Sequence, residues 1–440
     1  MLTCEELLAA NPFPGLRAFT PGEADRFFGR RQQIEELMRR LDETPLVAVA
    51  GASGCGKSSL VLAGVLHALK RRRDLHGGTE WRPVVMRPGN QPIAVLATRL
   101  SAALTADDSN DNTRAAALDG RLRLGGLGLV EAVRLARLEP QVRVLVVVDQ
   151  FEEIFRFKRM TNPEEATAFV KLLLHAVSDL RSPVSVVLTL RSDTLGYCAD
   201  FHGLPEAVNR GQYLVPRLTR EQRKDAIVQP VELRGAKIAP RLVQRLLNDV
   251  SDDYDDLPVM QHVLTRTWRH WAMSGTDDRP IDLEDYEAVG GAAKALSNHA
   301  DEAYSSQDGA LVEKVFRALT EQVAEGTEIR RPLDFERLCA VTGAPKDQVA
   351  KVVERFRQAD TALLLPASDV PLAANPVIDI SHESLIRRWT RLREWTREEA
   401  EARRLLQQPS RHPGRNLGHR QALQPAAQRA DLRQVQPHRF

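Results

Sequence analysis

The sequence predicts an α/β protein: a parallel sheet flanked by helices, then a run of helices, then a winged helix. Three observations carry that prediction. An apolar run, Leu46–Ala50, leads into GASGCGKS (51–58), which has the G-x-x-x-x-G-K-[S/T] spacing of a phosphate-binding loop, and a helical stretch follows it. A second apolar run, VRVLVVV (142–148), ends in Asp149 and reads as a strand buried on both faces of a parallel sheet. Residues 311–396 read helix, helix, helix, short strands, helix, which is the order of a winged helix.

The loop explains itself chemically. Gly51, Gly54 and Gly56 allow backbone conformations that a Cβ forbids, so successive N–H groups can turn toward phosphate oxygens at the start of the next helix. The whole stretch Gly51, Ala52, Ser53, Gly54, Cys55, Gly56, Lys57, Ser58, with Ser59 after it, is the predicted nucleotide cradle. Lys57 supplies a point charge for the outer phosphates, and Ser58 offers a hydroxyl to Mg²⁺. A bare glycine-rich turn is the bland alternative, and the strand–loop–helix order argues against it. Cys55 lies inside the loop, where a bound nucleotide is expected to shield it from alkylation; an inconsequential loop residue is the competing reading.

Before the loop, NPFPGLRAFTPGEADRFFGR (11–30) sets prolines and glycines among aromatics, so an ordered, non-helical segment is expected, with a helix over Arg31–Leu41. Phe28, Gly29 and Arg30 suit either an adenine cover or a hydrophobic staple. After the loop helix, Arg82–Arg87 reads as a second strand. The Asp-, Asn- and Gly-rich residues 107–128 read as a surface loop or insertion. Asp149, at the carboxyl end of its strand, is the natural Mg²⁺ partner across from Ser58, and Glu152 and Glu153 are candidates to orient or deprotonate a water. A helix over Glu164–Leu180 precedes a fourth strand, Pro183–Leu190, ending near Thr189, Arg191 and Asp193. Arg191 there either touches a γ-phosphate or pairs with Asp193 at the surface.

From Tyr213 a strand-like start gives way to Thr219 as a helix cap, with Glu221 and Gln222 in the first turn. Leu257 and Pro258 head a later helix, where Pro is an ordinary first-turn residue. The C-terminal elements are expected as helices Leu311–Ala324, Phe335–Val341 and Gln348–Asp360, with strands Leu363–Pro366 and Val377–Ile380. His382 then opens the last helix with Ser381 as its cap. A histidine there can meet a phosphate or simply cap. Trp389, Leu392 and Trp395 form a core stripe. Beyond about Arg404 the Gln-, Arg-, Pro- and His-rich chain lacks the aliphatics for a core, which predicts a disordered tail.

Composition narrows the class. With 440 residues, 43% hydrophobic and 27% charged, two or three packed domains are expected. No apolar run approaches the roughly 20 residues of a membrane helix, so a soluble cytoplasmic protein is expected. Cys4, Cys55, Cys198 and Cys339 include no C-x-x-C pair, which argues against a zinc site or disulfide framework. Net charge is +2, yet the eight Arg and one Asp of residues 402–440 contribute +7, leaving −5 elsewhere. A mildly acidic body makes nucleic acid an unlikely partner on charge alone.

NPFPGLRAF with FFGR, GASGCGKSS, LVVVDQFEEIF, VVLTLRSD, LTREQ, LPVMQHVL and ISHESLIRRW occur in that order, and together they resemble the bacterial "novel STAND" NTPases among the signal-transduction ATPases with numerous domains. The resemblance covers roughly Asn11–Glu401. It implies a P-loop NTPase sheet (31–212, after an N-terminal segment 1–30), a helical lid (213–304), a winged-helix domain (305–396) and a helix end with basic tail (397–440). It further implies that ATP and ADP with Mg²⁺ are the ligands, and that the lid and winged helix close over ADP at rest. ATP would drive homo-oligomerisation and be hydrolysed slowly. By the same resemblance Lys57, Ser58 and Asp149 hold phosphate and metal, Glu152 or Glu153 is the hydrolytic acid, and Arg191 senses the γ-phosphate. Pro258 touches adenine and His382 the β-phosphate. A constitutive AAA+-like motor and a winged-helix DNA-binding regulator are the competing readings.

Overall fold

The computed structural model describes residues 3–76, 78–104, 112–178, 182–249, 256–275, 279–324 and 327–407. Residues 1–397 form one compact unit. Among the described residues no helix is long and apolar enough to cross a membrane.

Five parallel strands form the central sheet: β1 (Leu46–Gly51), β2 (Glu80–Met86), β3 (Val142–Val148), β4 (Val184–Arg191) and β5 (Gln212–Leu214). Their spatial order is β2-β3-β4-β1-β5. The apolar runs are continuous because both faces are covered. In β1, Leu46, Ala48 and Ala50 join one core while Val47 and Val49 join the other. The first core packs under helices Pro92–Leu104, Gly128–Leu135 and Pro163–Ser178, the second under Arg31–Glu43 and the helix following the loop. Each buried Val or Leu contributes about 1.5–3 kcal/mol, and strand residues Val47 to Ala50 are fully inaccessible. The order places β4 between β3 and β1, so the ends of all three open onto one edge.

Two sequence expectations fail here. The stretch 107–128 read as loop is mostly helical where it is described: Asn112–Arg123 and, from its last residue, Gly128–Leu135 are helices joined by a short turn, and residues 105–111 lie outside the described set. Leu118 and Leu122, one helical turn apart, reach the core while the rest of the first helix is polar residues, alanines and one glycine, mostly exposed, so the apolar stripe was too thin to read. Residues 311–324 are not one helix either. The helix Gly309–Ala318 ends, and β6 (Thr320–Ala324) pairs with β7 (Thr327–Arg330) as an antiparallel hairpin. The β-branched Val323, Thr327 and Ile329 favour that outcome.

Helices Arg220–Leu233, Pro240–Asp249, Asp256–Met273 and Leu283–Ala288 build a third core, which also takes in Leu7 and Phe13. Thr219 caps the first of them through a reciprocal pair with Gln222. The helix Gly291–Tyr304 gives Ala295 to this core and Leu296, Ala300 and Ala303 to a fourth. In the fourth, helices Phe335–Thr342 and Lys346–Arg357 pack with a three-stranded antiparallel sheet of β8 (Leu333–Asp334), β9 (Leu364–Leu365) and β10 (Val377–Ile380), ordered β8-β10-β9. Trp389 and Leu392 are fully buried there and Trp395 meets Trp389 edge to face, as the stripe predicts. The final helix is interrupted, Glu383–Arg388 then Thr390–Gln407, and the tail beyond Gln407 lies outside the described residues.

The segment before the sheet is mostly non-helical, with a 3-10 turn at Pro21–Arg26, and Phe13, Leu16 and Phe19 are buried. It bridges distant elements. Asn11 Nδ2 donates to the Thr265 carbonyl (3.2 Å), and the Phe19 amide donates to Ser59 Oγ (3.1 Å).

Candidate functional site

The loop turns because two glycines take left-handed conformations that favour no other residue, Gly54 at φ 73° and Gly56 at φ 90°. Lys57 then starts the helix, and its Nζ donates to the carbonyls of Gly51 (3.0 Å) and Ala52 (2.7 Å). Arg30, 3% exposed, clamps the loop from behind, donating to Cys55 O (2.9 Å) and Pro216 O (2.7 Å). The Cys55 thiol lies against Gly51, where a Cβ would approach its sulfur to 2.7 Å, and it packs beside the β1 core. Protein atoms flank the thiol on that side, so its expected shielding has a source other than nucleotide.

Asp149 is 2% exposed and fully engaged. Its Oδ1 accepts from the Ser58 hydroxyl (2.6 Å) and the Thr189 hydroxyl (2.7 Å), and its Oδ2 pairs with Arg87 Nε (3.2 Å). Burial opposes the Arg87 charge, and the Asp149 and Glu153 carboxylates more than offset it, so the guanidinium is held more firmly charged than usual. The next residue, Gln150, adopts φ 57° and donates its amide to Thr189 Oγ1 (2.9 Å). A non-glycine residue there stores about 1–2 kcal/mol of strain, held at the point where the chain turns Glu152 and Glu153 into the cleft.

The two glutamates differ. Glu153 accepts from the Gly89 amide (3.0 Å), which ties it to the loop after β2. The Oε2 of Glu152 is buried without a hydrogen-bond partner, and burial raises its pKa to about 7. A carboxyl poised near neutrality, with an unsatisfied oxygen, suits proton transfer from water.

Arg191 ends β4 directly beside Gly51, the first residue of the loop, in the parallel register. Its guanidinium pairs with Asp193 (Nη2–Oδ2 2.8 Å) and reaches Glu383 Oε1 at 2.5 Å. Of the two expectations for Arg191, the pair with Asp193 is present, and Glu383 is a second carboxylate partner the sequence reading did not foresee. Beside Glu383, His382 is the helix cap; the place expected for Ser381 is taken, and the Ser381 Oγ is buried and unpaired. His382 Nδ1 accepts from the Ser384 amide (3.1 Å), which puts the ring proton on Nε2. Burial, reinforced by Arg330, lowers its pKa to about 3, so the ring is a neutral N–H donor.

A cleft of about 910 Å³ joins these groups. At its polar end lie Ser53, Gly54, Gly56, Lys57, Ser58, Glu152, Glu153, Arg191, His382 and Glu383. At its apolar end lie Phe19, Phe27, Phe28, Leu62, Leu257 and Pro258, and Phe19 and Phe27 meet edge to face at 5.4 Å. Gly29 sits behind that end at φ 81°, where a Cβ would fall 2.4 Å from the Gln222 carbonyl; Gly51, Ala52, Cys55 and Asp149 likewise support rather than line the cleft. The sequence reading missed Arg87, Arg330, Asp379, Glu383 and the residues 14–20 that wall the cleft. Arg87 had a signal, a cation at the tip of the strand beside Asp149; the others had none in local spacing.

The residues fit Mg²⁺. Ser58 and Asp149 present hard oxygen donors 2.6 Å apart at the loop, the set this cation takes beside phosphate oxygens. No group of three or more His, Cys, Asp or Glu positioned to hold a metal occurs among the described residues.

A glycine-rich loop opening a helix, a lysine at its head and an aspartate on a nearby parallel strand together define a P-loop NTPase. Within that class, the chain belongs to the Novel STAND NTPase 1 family, whose model matches residues 12–412. No curated protein matches it. Among solved structures it is similar to the Aeropyrum pernix ORC2 protein (ADPNP-ADP complexes), at 14% identity over 85% of this chain and 94% of that one, with a TM-score of 0.48. It is also similar to the Aeropyrum pernix ORC1 protein in complex with DNA, at 13% identity over 86% and 94%, TM-score 0.45. A third is CDC6P from Pyrobaculum aerophilum, at 14% identity over 84% and 94%, TM-score 0.38.

Proposed function

We propose that the protein is an ATP/ADP-controlled switch that rests closed on ADP, hydrolyses ATP slowly and self-associates when ATP is bound. One observation carries the reading. The Arg191–Glu383 pair joins the tip of a sheet strand to a residue 192 positions later, so a C-terminal element reaches the phosphate end of the cleft and is tied there. In this reading residues 31–212 bind nucleotide, 213–304 form a helical lid, and 305–396 act as a winged helix that moves as one body.

In the mechanism, the loop amides and Lys57 hold the phosphates, and Lys57 exchanges its two carbonyl partners for phosphate oxygens. Ser58 and Asp149 would hold Mg²⁺, which neutralises phosphate charge when bound. Glu152 takes a proton from water, and Glu153, anchored at Gly89, fixes the turn that presents it. The neutral His382 ring donates a hydrogen bond from its Nε2–H to a phosphate oxygen, and Pro258 with Leu257 and Phe28 covers the base.

Light scattering tests the switch. The protein with ADP should measure as a monomer and with a non-hydrolysable ATP analogue as a defined oligomer. Equal mass in both states, with rapid steady ATP turnover, would contradict it.

A further inference from the structure

Resting on that nucleotide reading, we propose that the Glu383 carboxylate occupies the place of a nucleotide's third phosphate, and so makes the site prefer a nucleoside diphosphate to a triphosphate. The geometry is specific. Arg191, the cation it holds at 2.5 Å, stands in register with Gly51 at the mouth of the loop. Glu383 is 8% exposed and lines the same cleft as Ser53, Lys57 and Glu152.

Its charge is secured from both sides. Burial alone would favour the neutral acid, yet Arg191 and Arg330, with the Ser53 side chain of the loop, hold the pKa below the usual carboxylate range. Arg330, the last residue of β7, is itself committed to Asp379 (2.6 Å) and the Ile380 carbonyl (3.2 Å) of β10, a cation held in place beside the strand that leads into Glu383. An anion thus sits in a site built for anions. His382 and Arg387 are the other ionisable groups near it on its own helix, and Asp193 and Glu152 face Arg191 from the turns that follow β4 and β3.

A diphosphate can fill the loop and leave this arrangement intact. A triphosphate brings a new anion against Glu383 and competes for Arg191, so it must displace the carboxylate together with the backbone bearing it. That is the differential interaction a population shift requires.

Calorimetric titration of the nucleotide-stripped full chain tests this, with ADP and a non-hydrolysable ATP analogue in Mg²⁺ buffer. The native protein should bind ADP more tightly. Glu383→Gln should tighten analogue binding by about tenfold or more while ADP stays within about threefold. Parallel changes in both affinities, or no change, overturn the proposal. Failure of the native protein to bind either nucleotide would instead sink the underlying nucleotide reading. Should Glu383→Gln fail to show a cooperative melt, Glu383→Asp, one methylene shorter, should shift the ratio in the same direction by less; an unchanged ratio there overturns the proposal equally.

Discussion

The two ends of the cleft are built on opposite principles. The base end is apolar and aromatic, with Phe19, Phe27, Leu62 and Leu257 presenting surface that is indifferent to how many phosphates the ligand carries. The phosphate end is dense with charge from remote parts of the chain: Arg87, Lys57, Arg191 and Arg330 against Asp149, Glu152, Glu153, Asp379 and Glu383. The division teaches that affinity and discrimination are separate tasks. On the proposed reading, apolar burial at one end would retain nucleotide of either kind, and electrostatic competition at the other would decide which conformation goes with it.

The sharpest break in that comparison lies at Glu152. Glu152→Gln should lower ATP turnover about a hundredfold or more, measured by phosphate release, with nucleotide affinity little changed. Its stability effect has a defined sign. The folded pKa is raised to about 7, above the unfolded value near 4.5, so burying the ionised acid costs stability that grows as pH rises from about 4.5 to 7. Thermal melts should show Glu152→Gln more stable than the native protein at pH 8, by roughly 3 kcal/mol, with the difference gone below about pH 4.5. A variant less stable at pH 8 would mean that the carboxylate is satisfied there.

A smaller effect is expected at the other end. The Leu257 side chain lies 3.8 Å from where a Gly56 Cβ would stand, so it roofs the loop from the base side. Leu257→Ala should weaken ADP and the ATP analogue by about the same factor, roughly tenfold, as loss of apolar contact predicts. A loss confined to one nucleotide would erase the distinction between the two ends.

Legibility in the sequence follows the same line. The inner strands β1, β3 and β4 could be read because burial on both faces makes them continuous apolar runs, and the loop, Asp149 and Arg191 because their chemistry sits at strand ends in a fixed local order. The helix Asn112–Arg123 escaped because only a thin stripe of it touches the core. The hairpin of β6 and β7 escaped because its apolar residues continue the helical pattern before it. Glu383, Arg330 and Asp379 escaped for a deeper reason: their meaning comes from partners far away in sequence, and no spacing rule connects Arg191 to Glu383.

The central claim is that this cleft holds ADP closed at rest. The most direct measurement is to purify the protein without added nucleotide, denature it and identify what is released by chromatography. The account predicts close to one ADP per chain, lost in Lys57→Ala. An empty native protein that turns over ATP steadily would contradict it.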